Sequence, residues 1–366
     1  MDFLSLKPKA FGLDISDLSL KIANLKNKGK FLTMSSFGTA KIEPGLIKDG
    51  EIKDEKALIK IVKESLSKVR GKKLDTRYVA ASLPEEKAFL QVIQLPKMPE
   101  ADLKSAVIYE AENYIPLPIE DVYLDFQNVP AIKDHLDHCD VLIAALPKKT
   151  VDPYLSVLSG AGLKPLTLEI ESLAIARALV KNEIVPFPTL LIDLGSTRTS
   201  FIIFSGYALR FTSSIPISSD QLTEAISHAL NVDFKKAEEL KIKYGLGNTL
   251  KKDEKSKEAK QVVEALKPLL NDLVGQIKKW SEFYQTHTSH EHLPEESGIE
   301  SVLLSGGGAN LKGLANFLSL ELKMPVSLGN PWVNILKPPL KEVPQLKFQD
   351  SLAYTTALGL ALKGIK

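Results

Sequence analysis

An apolar strand of this chain runs directly into the turn Asp193-Leu-Gly-Ser-Thr-Arg-Thr199, and a second apolar strand follows the turn. A glycine permits close approach of the backbone, successive turn amides can cradle phosphate oxygens, and small hydroxyl residues add donors without bulk. An aspartate fixed at the end of a strand can hold Mg²⁺ through its water ligands, because magnesium prefers octahedral oxygen coordination. The turn predicts a phosphate site in which Asp193 organises the metal and Gly195, Ser196 and Thr197 face the phosphates. A plain hairpin explains this motif, taken alone, equally well.

The beginning of the chain repeats this arrangement in Asp14-Ile-Ser-Asp-Leu-Ser-Leu-Lys21. Both segments have an apolar strand, an aspartate, a polar turn and a second apolar strand, which predicts two related halves. A serine stands here at the position of Gly195, and serine cannot freely adopt the dihedral angles that glycine can. We therefore expect a weaker phosphate cradle, formed by Asp14, Ser16, Ser19 and Lys21. For Lys21 alone, a surface lysine on a strand is the simpler interpretation.

Two later motifs have the residue types of a nucleoside site. The first, Ser305-Gly-Gly-Gly-Ala-Asn-Leu311, follows a strand and opens a helix, a context in which glycines let a flat ring or a phosphate press against the backbone. Its candidate residues are Gly306, Gly307, Gly308 and Asn310. The second, Ala237-Glu-Glu-Leu-Lys-Ile-Lys-Tyr-Gly245, places Glu238 and Lys241 about one helical turn apart on one face, where they could bond ribose or adenine. Taken alone, the second motif is better explained as a solvated helix face.

The composition is that of an ordinary globular protein and excludes several functions. The 366 residues exceed what one hydrophobic core usually organises, so we expect two or more lobes. The net charge is only +2, with lysines and acids interspersed, which argues against nucleic-acid binding. A single cysteine, Cys139, fits a reducing compartment. No stretch approaches the roughly 18 apolar residues of a membrane span, and Met1–Ala10 lacks the apolar core of a signal peptide.

Metal-dependent and serine hydrolase chemistry find little support. His287, His290 and His292 lie in the polar run Gln285–Gly298, which we interpret as a loop, without nearby cysteines or a helical His-Glu-x-x-His frame. The chain also lacks the Gly-x-Ser-x-Gly elbow of a hydrolase. We expect these histidines to be exposed loop residues.

Apolar spacing predicts the remaining elements. Helices at Glu100–Tyr114 and Thr150–Ala161, with strands at Val122–Asn128 and Asp140–Leu146, form a small α+β insert in the first half. Later helices are predicted at Lys251–Tyr284, where Pro268 starts a new segment or a kink, and at Leu311–Leu322.

Taken in order, these motifs resemble the phosphate 1, phosphate 2 and adenosine motifs of the actin superfamily. The resemblance implies an α/β, actin/Hsp70-like (ribonuclease H-like) duplicated fold, with two lobes around a nucleotide cleft and ATP and Mg²⁺ as ligands. By this resemblance Asp14 and Asp193 hold the metal, and Glu171 positions the attacking water. Thr167–Val180 and Ser351–Leu362 are similar to the two connecting helices of that superfamily.

Within the superfamily, the segment Ala-Glu-Asn-Tyr-Ile-Pro-Leu-Pro-Ile-Glu-Asp-Val-Tyr-Leu-Asp-Phe126 resembles a hallmark of the PilM family of type IV pilus assembly proteins. This resemblance implies a cytoplasmic scaffold, peripheral to the inner membrane, that binds the N-terminal peptide of a PilN-like membrane protein and other pilus platform proteins, and that can self-associate. Tyr114, Pro116 and Pro118 are the expected partner edge. Because Ser16 disturbs one phosphate cradle, we expect at most a slow ATPase.

Two alternatives remain. One is an FtsA-like cell-division protein, which is less favoured because no FtsA-like tail follows the last helix. The other is an actin-fold small-molecule kinase.

The resemblance also implies four subdomains, whose expected limits follow from the elements above. They are a first-lobe core at 1–84 with 163–188 and 345–366, an insert at 85–162, a second-lobe core at 189–218 with 300–344, and a second-lobe subdomain at 219–299.

Overall fold

The computed structural model describes residues 8–29, 31–130, 137–247, 256–287, 298–336 and 343–365. These residues belong to two compact units. Among the described residues, unit 1 comprises those up to Pro130, those from 137 to Glu183 and those from Asn330 onwards, and unit 2 comprises those within Ile184–Gly329.

Unit 1 contains a six-stranded sheet in the order β11-β7-β1-β2-β3-β6 and a three-stranded sheet in the order β8-β10-β9. Its first elements are β1 (Phe11–Ile15), β2 (Ser19–Lys28), β3 (Phe31–Lys41), β4 (Ile47–Lys48), β5 (Glu51–Ile52), α1 (Glu55–Ser67), β6 (Arg70–Gly71), β7 (Tyr78–Leu83), β8 (Phe89–Pro96), α2 (Glu100–Ala111), β9 (Val122–Val129), β10 (His138–Pro147), α3 (Lys148–Gly160), β11 (Lys164–Ile170) and α4 (Glu171–Leu179).

Unit 2 contains a five-stranded sheet in the order β14-β13-β12-β15-β16. Its elements are β12 (Val185–Leu194), β13 (Thr199–Gly206), β14 (Ala208–Ile215), α5 (Ser219–Leu230), α6 (Phe234–Tyr244), α7 (Lys257–His287), β15 (Ser301–Ser305), α8 (Leu314–Leu322) and β16 (Val326–Leu328). The chain then returns to unit 1, where α9 (Phe348–Ser351) and α10 (Thr355–Ile365) are joined by a single 3₁₀ turn.

The predicted duplication is visible in the strand pairing of each unit. In unit 1, β1 pairs antiparallel with β2 and parallel with β7. In unit 2, β12 pairs antiparallel with β13 and parallel with β15. Each unit therefore places its Asp-centred hairpin beside a parallel strand, at the edge of the sheet where the carboxyl ends of its parallel strands lie.

Part of the core of unit 1 is built by α10, which packs closely on β1 and on α4. Gly359 of α10 lies against the backbone of α4, so close that an added Cβ would lie 1.9 Å from the carbonyl oxygen of Ala174. Gly12 of β1 lies similarly close to the backbone of α10, since an added Cβ would lie 2.1 Å from the carbonyl oxygen of Ala357. Backbone atoms cannot rotate away as side chains do, so this packing requires glycine at both positions.

We expect Gly359→Ala to destabilise the protein by about 3 kcal/mol, because the new methyl group overlaps the backbone of α4 at Ala174 in a packed core. Chemical denaturation measures this loss. Gly275→Ala is a matched control, because an added Cβ at this position in α7 meets nothing within 4 Å. There we expect an increase of about 0.5–1 kcal/mol from helix propensity. Equal stability of the Gly359→Ala chain and the parent would contradict the close packing of α10.

Four sequence expectations about helices need correction. Thr167–Ile170 is not helical, because Leu168, Glu169 and Ile170 pair with β7 as part of β11, and α4 begins only at Glu171. The helix expected from Leu311 begins at Leu314, because Gly313 has a left-handed φ of 82°.

The other two corrected expectations concern Pro268 and the end of helix α7. Pro268 starts no new segment and lies inside this 31-residue helix, whose buried leucines outweigh one lost backbone hydrogen bond. The helix also continues through Gln285 to His287, because Tyr284, which is buried, anchors its last turn. The interpretation of His290 and His292 as exposed loop residues lies outside the described residues.

Candidate functional site

The Asp193 hairpin of unit 2 is fixed by backbone hydrogen bonds to the start of a helix. Asp193, at the end of β12, pairs with Ser305 of β15. The turn closes through a bond from the Gly195 amide to the Arg198 carbonyl oxygen (2.9 Å). The amides of Ser219 and Asp220, in the first turn of α5, donate to the carbonyl oxygens of Gly195 and Ser196 at 2.9 and 3.2 Å. The turn is therefore held against the amino-terminal end of a 12-residue helix.

The glycine loop after β15 lies against the same hairpin. Gly306 has a φ of 82°, and a Cβ there would lie 2.4 Å from the carbonyl oxygen of Leu194. A Cβ on Gly308 would lie 2.5 Å from the Leu194 side chain, and Asn310 Nδ2 donates to the Gly307 carbonyl oxygen at 3.3 Å. The close approach to the hairpin accounts for these glycines and places the predicted nucleoside loop beside the predicted phosphate turn.

The two candidate side chains of α6 bond to α5 and to each other. Lys241 is buried, and its Nζ donates to the carbonyl oxygen and hydroxyl of Ser219 at 2.8 Å each and to Thr223 Oγ1 at 2.6 Å. Glu238 Oε2 lies 2.7 Å from Lys241 Nζ and accepts from Thr223 Oγ1 at 2.5 Å. Lys241 thus ties α6 to the same first turn of α5 that holds the Gly195 turn.

Burial and nearby charges shift the pKa of Asp220, which lies in the first turn of α5. Burial raises the pKa of Asp220, and the negative charges of Glu238 and Glu224 raise it further, while Lys241 acts in the opposite direction. The positive charge of Lys241 therefore balances acids at this end of α5.

We expect Lys241→Met to destabilise the protein by about 2 kcal/mol or more, because it removes a buried cation and leaves its acceptors on α5 without a donor. Thermal unfolding measures the loss. Lys235→Met on the same helix, where the lysine is exposed, is the matched control and should be within about 0.5 kcal/mol of the parent. Similar melting of the two variants would show that Lys241 does not hold α6 against α5.

The Asp14 hairpin of unit 1 has its own polar network. The hydroxyl of Ser82 on β7 donates to Asp14 Oδ1 at 3.2 Å and accepts from the Ile15 amide at 2.9 Å. Lys21 Nζ lies 3.5 Å from Asp14 Oδ2 and donates to Ser19 Oγ at 2.8 Å. The lysine therefore turns towards the aspartate and the turn.

Ser16 does not strain this hairpin. Its amide donates to the Ser19 carbonyl oxygen at 2.9 Å, the same bond that Gly195 makes with Arg198 in the other hairpin. Neither Ser16 nor Gly195 has a positive φ, so the backbone does not require glycine at this position. The Ser16 hydroxyl adds a bond with Ser19 Oγ at 3.0 Å. Contrary to expectation, Ser16 therefore does not distort the turn by its dihedral angles, and its effect on phosphate binding stays a prediction.

Glu171 lies at the same edge of the unit 1 sheet as Asp14. It follows Ile170, which pairs with Leu83 next to Ser82, and the following amide, that of Ser172, donates to Glu85 Oε2 at 3.2 Å. Burial raises the pKa of Tyr154 well above its ordinary value, and the negative charges of Glu171, Glu86, Asp17 and Asp14 raise it further. The tyrosine, which donates to the Gly50 carbonyl oxygen at 3.0 Å, stays protonated among these acids.

The structure thus brings the predicted residues together within each unit. In unit 2, the shared network contains Asp193, Gly195, Ser196, Glu238, Lys241, Gly306, Gly307, Gly308 and Asn310. Thr197 lies in the same turn. In unit 1, Asp14, Ser16, Ser19 and Lys21 share a network, with Glu171 at the same sheet edge.

The predicted partner residues lie elsewhere on the insert. Tyr114, Pro116 and Pro118 are exposed in the loop after α2.

A cavity that the sequence did not reveal lies in unit 1, with a volume of about 680 Å³, and none of these three residues lines it. It is a groove between the insert sheet and the core, with strand β9 of the insert on one side and β11 of the core on the other. Its apolar lining includes Leu142, Ala144, Leu146, Leu155, Leu168 and Leu173.

A buried ion pair stabilises one wall of this groove. Arg177 of α4 makes two hydrogen bonds of 2.5 Å with the carboxylate of Glu169, which lines the groove, and a third of 3.3 Å with the Gly359 carbonyl oxygen. Burial lowers the pKa of Arg177, but the bond and the charge of Glu169 outweigh this and raise it overall. Among the described residues, β9 and β11 each have no neighbouring strand on one side. The groove is therefore bordered by two strand edges as well as by apolar side chains.

The sequence profile of one protein family, described as type IV pilus assembly protein PilM, matches residues 12–365. The chain belongs to the PilM family. A solved structure described as a PilM-PilN type IV pilus biogenesis complex contains a chain of 29% identity and TM-score 0.79, aligned over 98% of this chain and 99% of that chain.

More distant proteins share the fold of this PilM family member. MreB5 of Spiroplasma citri bound to ADP has 14% identity and a TM-score of 0.53 over 95% of this chain and 94% of that chain. The cell division protein FtsA of Pseudomonas aeruginosa is 25% identical over 56% of this chain and 49% of its own length. The chain spans about half the length of the curated relatives it matches. The actin-like fold predicted from the sequence is confirmed, and this fold includes proteins solved with bound nucleotide.

Helices in the described part of the chain are too short or too polar to cross a membrane.

Proposed function

We propose that this protein is a cytoplasmic, actin-like nucleotide-binding scaffold of the type IV pilus assembly platform, peripheral to the inner membrane. In this role it binds ATP and Mg²⁺, and it binds the cytoplasmic tail of a PilN-like membrane protein. Membership of the PilM family and the likeness to the PilM-PilN complex support the proposal. The main structural observation in favour of this proposal is the groove of unit 1.

The groove has the chemistry of a peptide site. Extended peptides bind where an exposed strand edge offers backbone hydrogen bonds and pockets accept alternate side chains. Here β9 and β11 are edge strands, and the space between them is lined mainly by apolar side chains, many of them leucines. We therefore assign the PilN-like tail to the groove instead of to the surface around Tyr114, Pro116 and Pro118.

The two hairpins fit ATP and Mg²⁺ in their donor sets. Asp14 and Asp193 supply carboxylate oxygens, the ligand type that Mg²⁺ prefers. The Gly306–Gly308 loop and the first turn of α5 supply backbone close to the Gly195 turn. Bound Mg²⁺ would neutralise phosphate charge. We propose that Lys21, Gly195, Ser196 and Thr197 hold the phosphates, with Glu238, Lys241, the glycine loop and Asn310 around the nucleoside.

We propose that this chain hydrolyses ATP slowly at most. Glu171 is the residue that we propose for positioning a water molecule, since it lies at the same sheet edge as Asp14. Phosphoryl transfer depends on accurate positioning by many groups.

The four expected subdomains belong to this proposal: the insert at 85–162 supplies one wall of the groove, and the first-lobe core supplies the other.

A pull-down from cell membranes of the source organism tests the scaffold function. We expect the full chain to capture a PilN-like protein, identified by mass spectrometry, and we compare capture with and without ATP and Mg²⁺. A small-molecule kinase would capture no pilus protein and would consume ATP only with an added substrate. The absence of pilus proteins from the captured fraction would contradict the scaffold role.

A further inference from the structure

We propose that the bound peptide pairs as a fourth strand with the free edge of β9, and that the side chain of Asp125 caps this edge until the peptide displaces it. The inference rests on the proposed function, because it specifies how the groove holds the PilN-like segment.

The register of the insert sheet shows which groups of β9 face away from β10. The two strands are antiparallel, and Val122 lies opposite Pro147. Proline has no N–H, so this pair is one that exchanges no mutual hydrogen bonds. The two kinds of pair alternate along the ladder. The amides and carbonyls of Leu124, Phe126 and Asn128 therefore also point to the free edge.

The observed contacts of Phe126 agree with this register. Its amide donates to Asp125 Oδ1 at 2.9 Å instead of to β10. A backbone amide at a free edge otherwise needs water or another strand as its acceptor. Asp125 is exposed and lines the groove. Its carboxylate thus occupies the position from which a carbonyl oxygen of an added strand would accept.

The other edge strand at the groove is less suitable for pairing. The register of β11 shifts between Pro165 and Thr167, and Pro165 offers no amide. Glu169, later in the same strand, is held by Arg177. Strand β9 runs in regular register from Val122 to Val129 and so offers the longer continuous edge.

The test uses a labelled synthetic peptide of about ten residues, the length of a strand, from the N-terminus of the cognate PilN-like protein. A series of peptides each carries one N-methylated backbone amide. We expect methylation at alternate positions to weaken binding more than about tenfold and the intervening positions to tolerate it, because only alternate amides of an added strand face β9.

The cap is tested with Asp125→Ala in the full chain. We expect it to bind the unmodified peptide about threefold to tenfold more tightly, since the Phe126 amide no longer has an internal acceptor. Glu112→Ala removes an equal charge from an exposed position on the insert and should leave the affinity unchanged. Hydrogen exchange of the Phe126 amide, followed in the parent, should slow when the peptide is added.

The results separate this inference from the proposed function. If the peptide binds but N-methylation has no alternating effect, or if the Phe126 amide gains no protection, pairing with β9 is wrong while the scaffold role stands. If Asp125→Ala binds no more tightly than Glu112→Ala, the cap is wrong. If the unmodified peptide does not bind the parent chain at all, both the inference and the assignment of the groove fail.

Discussion

Asp193→Asn should abolish Mg²⁺-dependent binding of ATP, with a loss of more than about 100-fold in affinity, or about 2.7 kcal/mol. The substitution keeps the size of the side chain at the end of β12 but removes the charge that we assign to the metal. A bound Mg²⁺ is the largest charge in such a site, so the loss of a carboxylate near it has a large effect. Titration calorimetry with ATP, with and without Mg²⁺, measures the change.

Asp272→Asn is the matched control, because this aspartate is exposed on α7. We expect it to bind ATP as the parent does, and we expect both variants to melt like the parent. If Asp193→Asn retains the affinity of the parent in the presence of Mg²⁺, the assignment of the metal and phosphate site is wrong.

The fold was predicted from the resemblance of the ordered motifs to the actin superfamily, and those motifs could be found because they depend on short-range features. Strands β1 and β13 are fully buried and consist mostly of apolar residues beside a polar turn. The glycines after β15 could be recognised from their position between a strand and a helix, and the structure adds the reason for them, which is contact with Leu194.

Side-chain partners within this site could not be predicted in the same way. Helical spacing places Glu238 and Lys241 on one face, but it does not show that α5 lies against this face and uses the lysine as a buried donor. Nor does sequence alone show whether a turn needs a positive φ, which is why Ser16 was expected to disturb its hairpin.

The groove could not be predicted because it depends on tertiary structure. Its walls come from β9 and β11, which are separated in sequence by β10 and α3, and local patterns indicate only weakly which strands lie at the edges of sheets. Two weak signals were present. Pro165 of β11 and Asp125 of β9 are residue types that proteins place on edge strands, and Asp125 also lines the groove.

Occupancy of the groove by the PilN-like peptide is the central claim, and filling the groove with a side chain tests it most directly. Ala144 lines the groove from β10 and is half-buried, so a tryptophan there would occupy the space of the peptide without burying a charge. Ala101→Trp places the same side chain on the exposed face of α2 in the same insert and is the matched control.

The measurement is an anisotropy titration of the labelled PilN-like peptide with the parent, Ala144→Trp and Ala101→Trp chains, each shown to be folded by its cooperative unfolding. We expect Ala144→Trp to bind more than about 100-fold more weakly than the parent, because one bulky side chain excludes the peptide from its apolar contacts. Ala101→Trp should bind as the parent does. Equal affinity of all three chains would place the partner site outside the groove and contradict the claim.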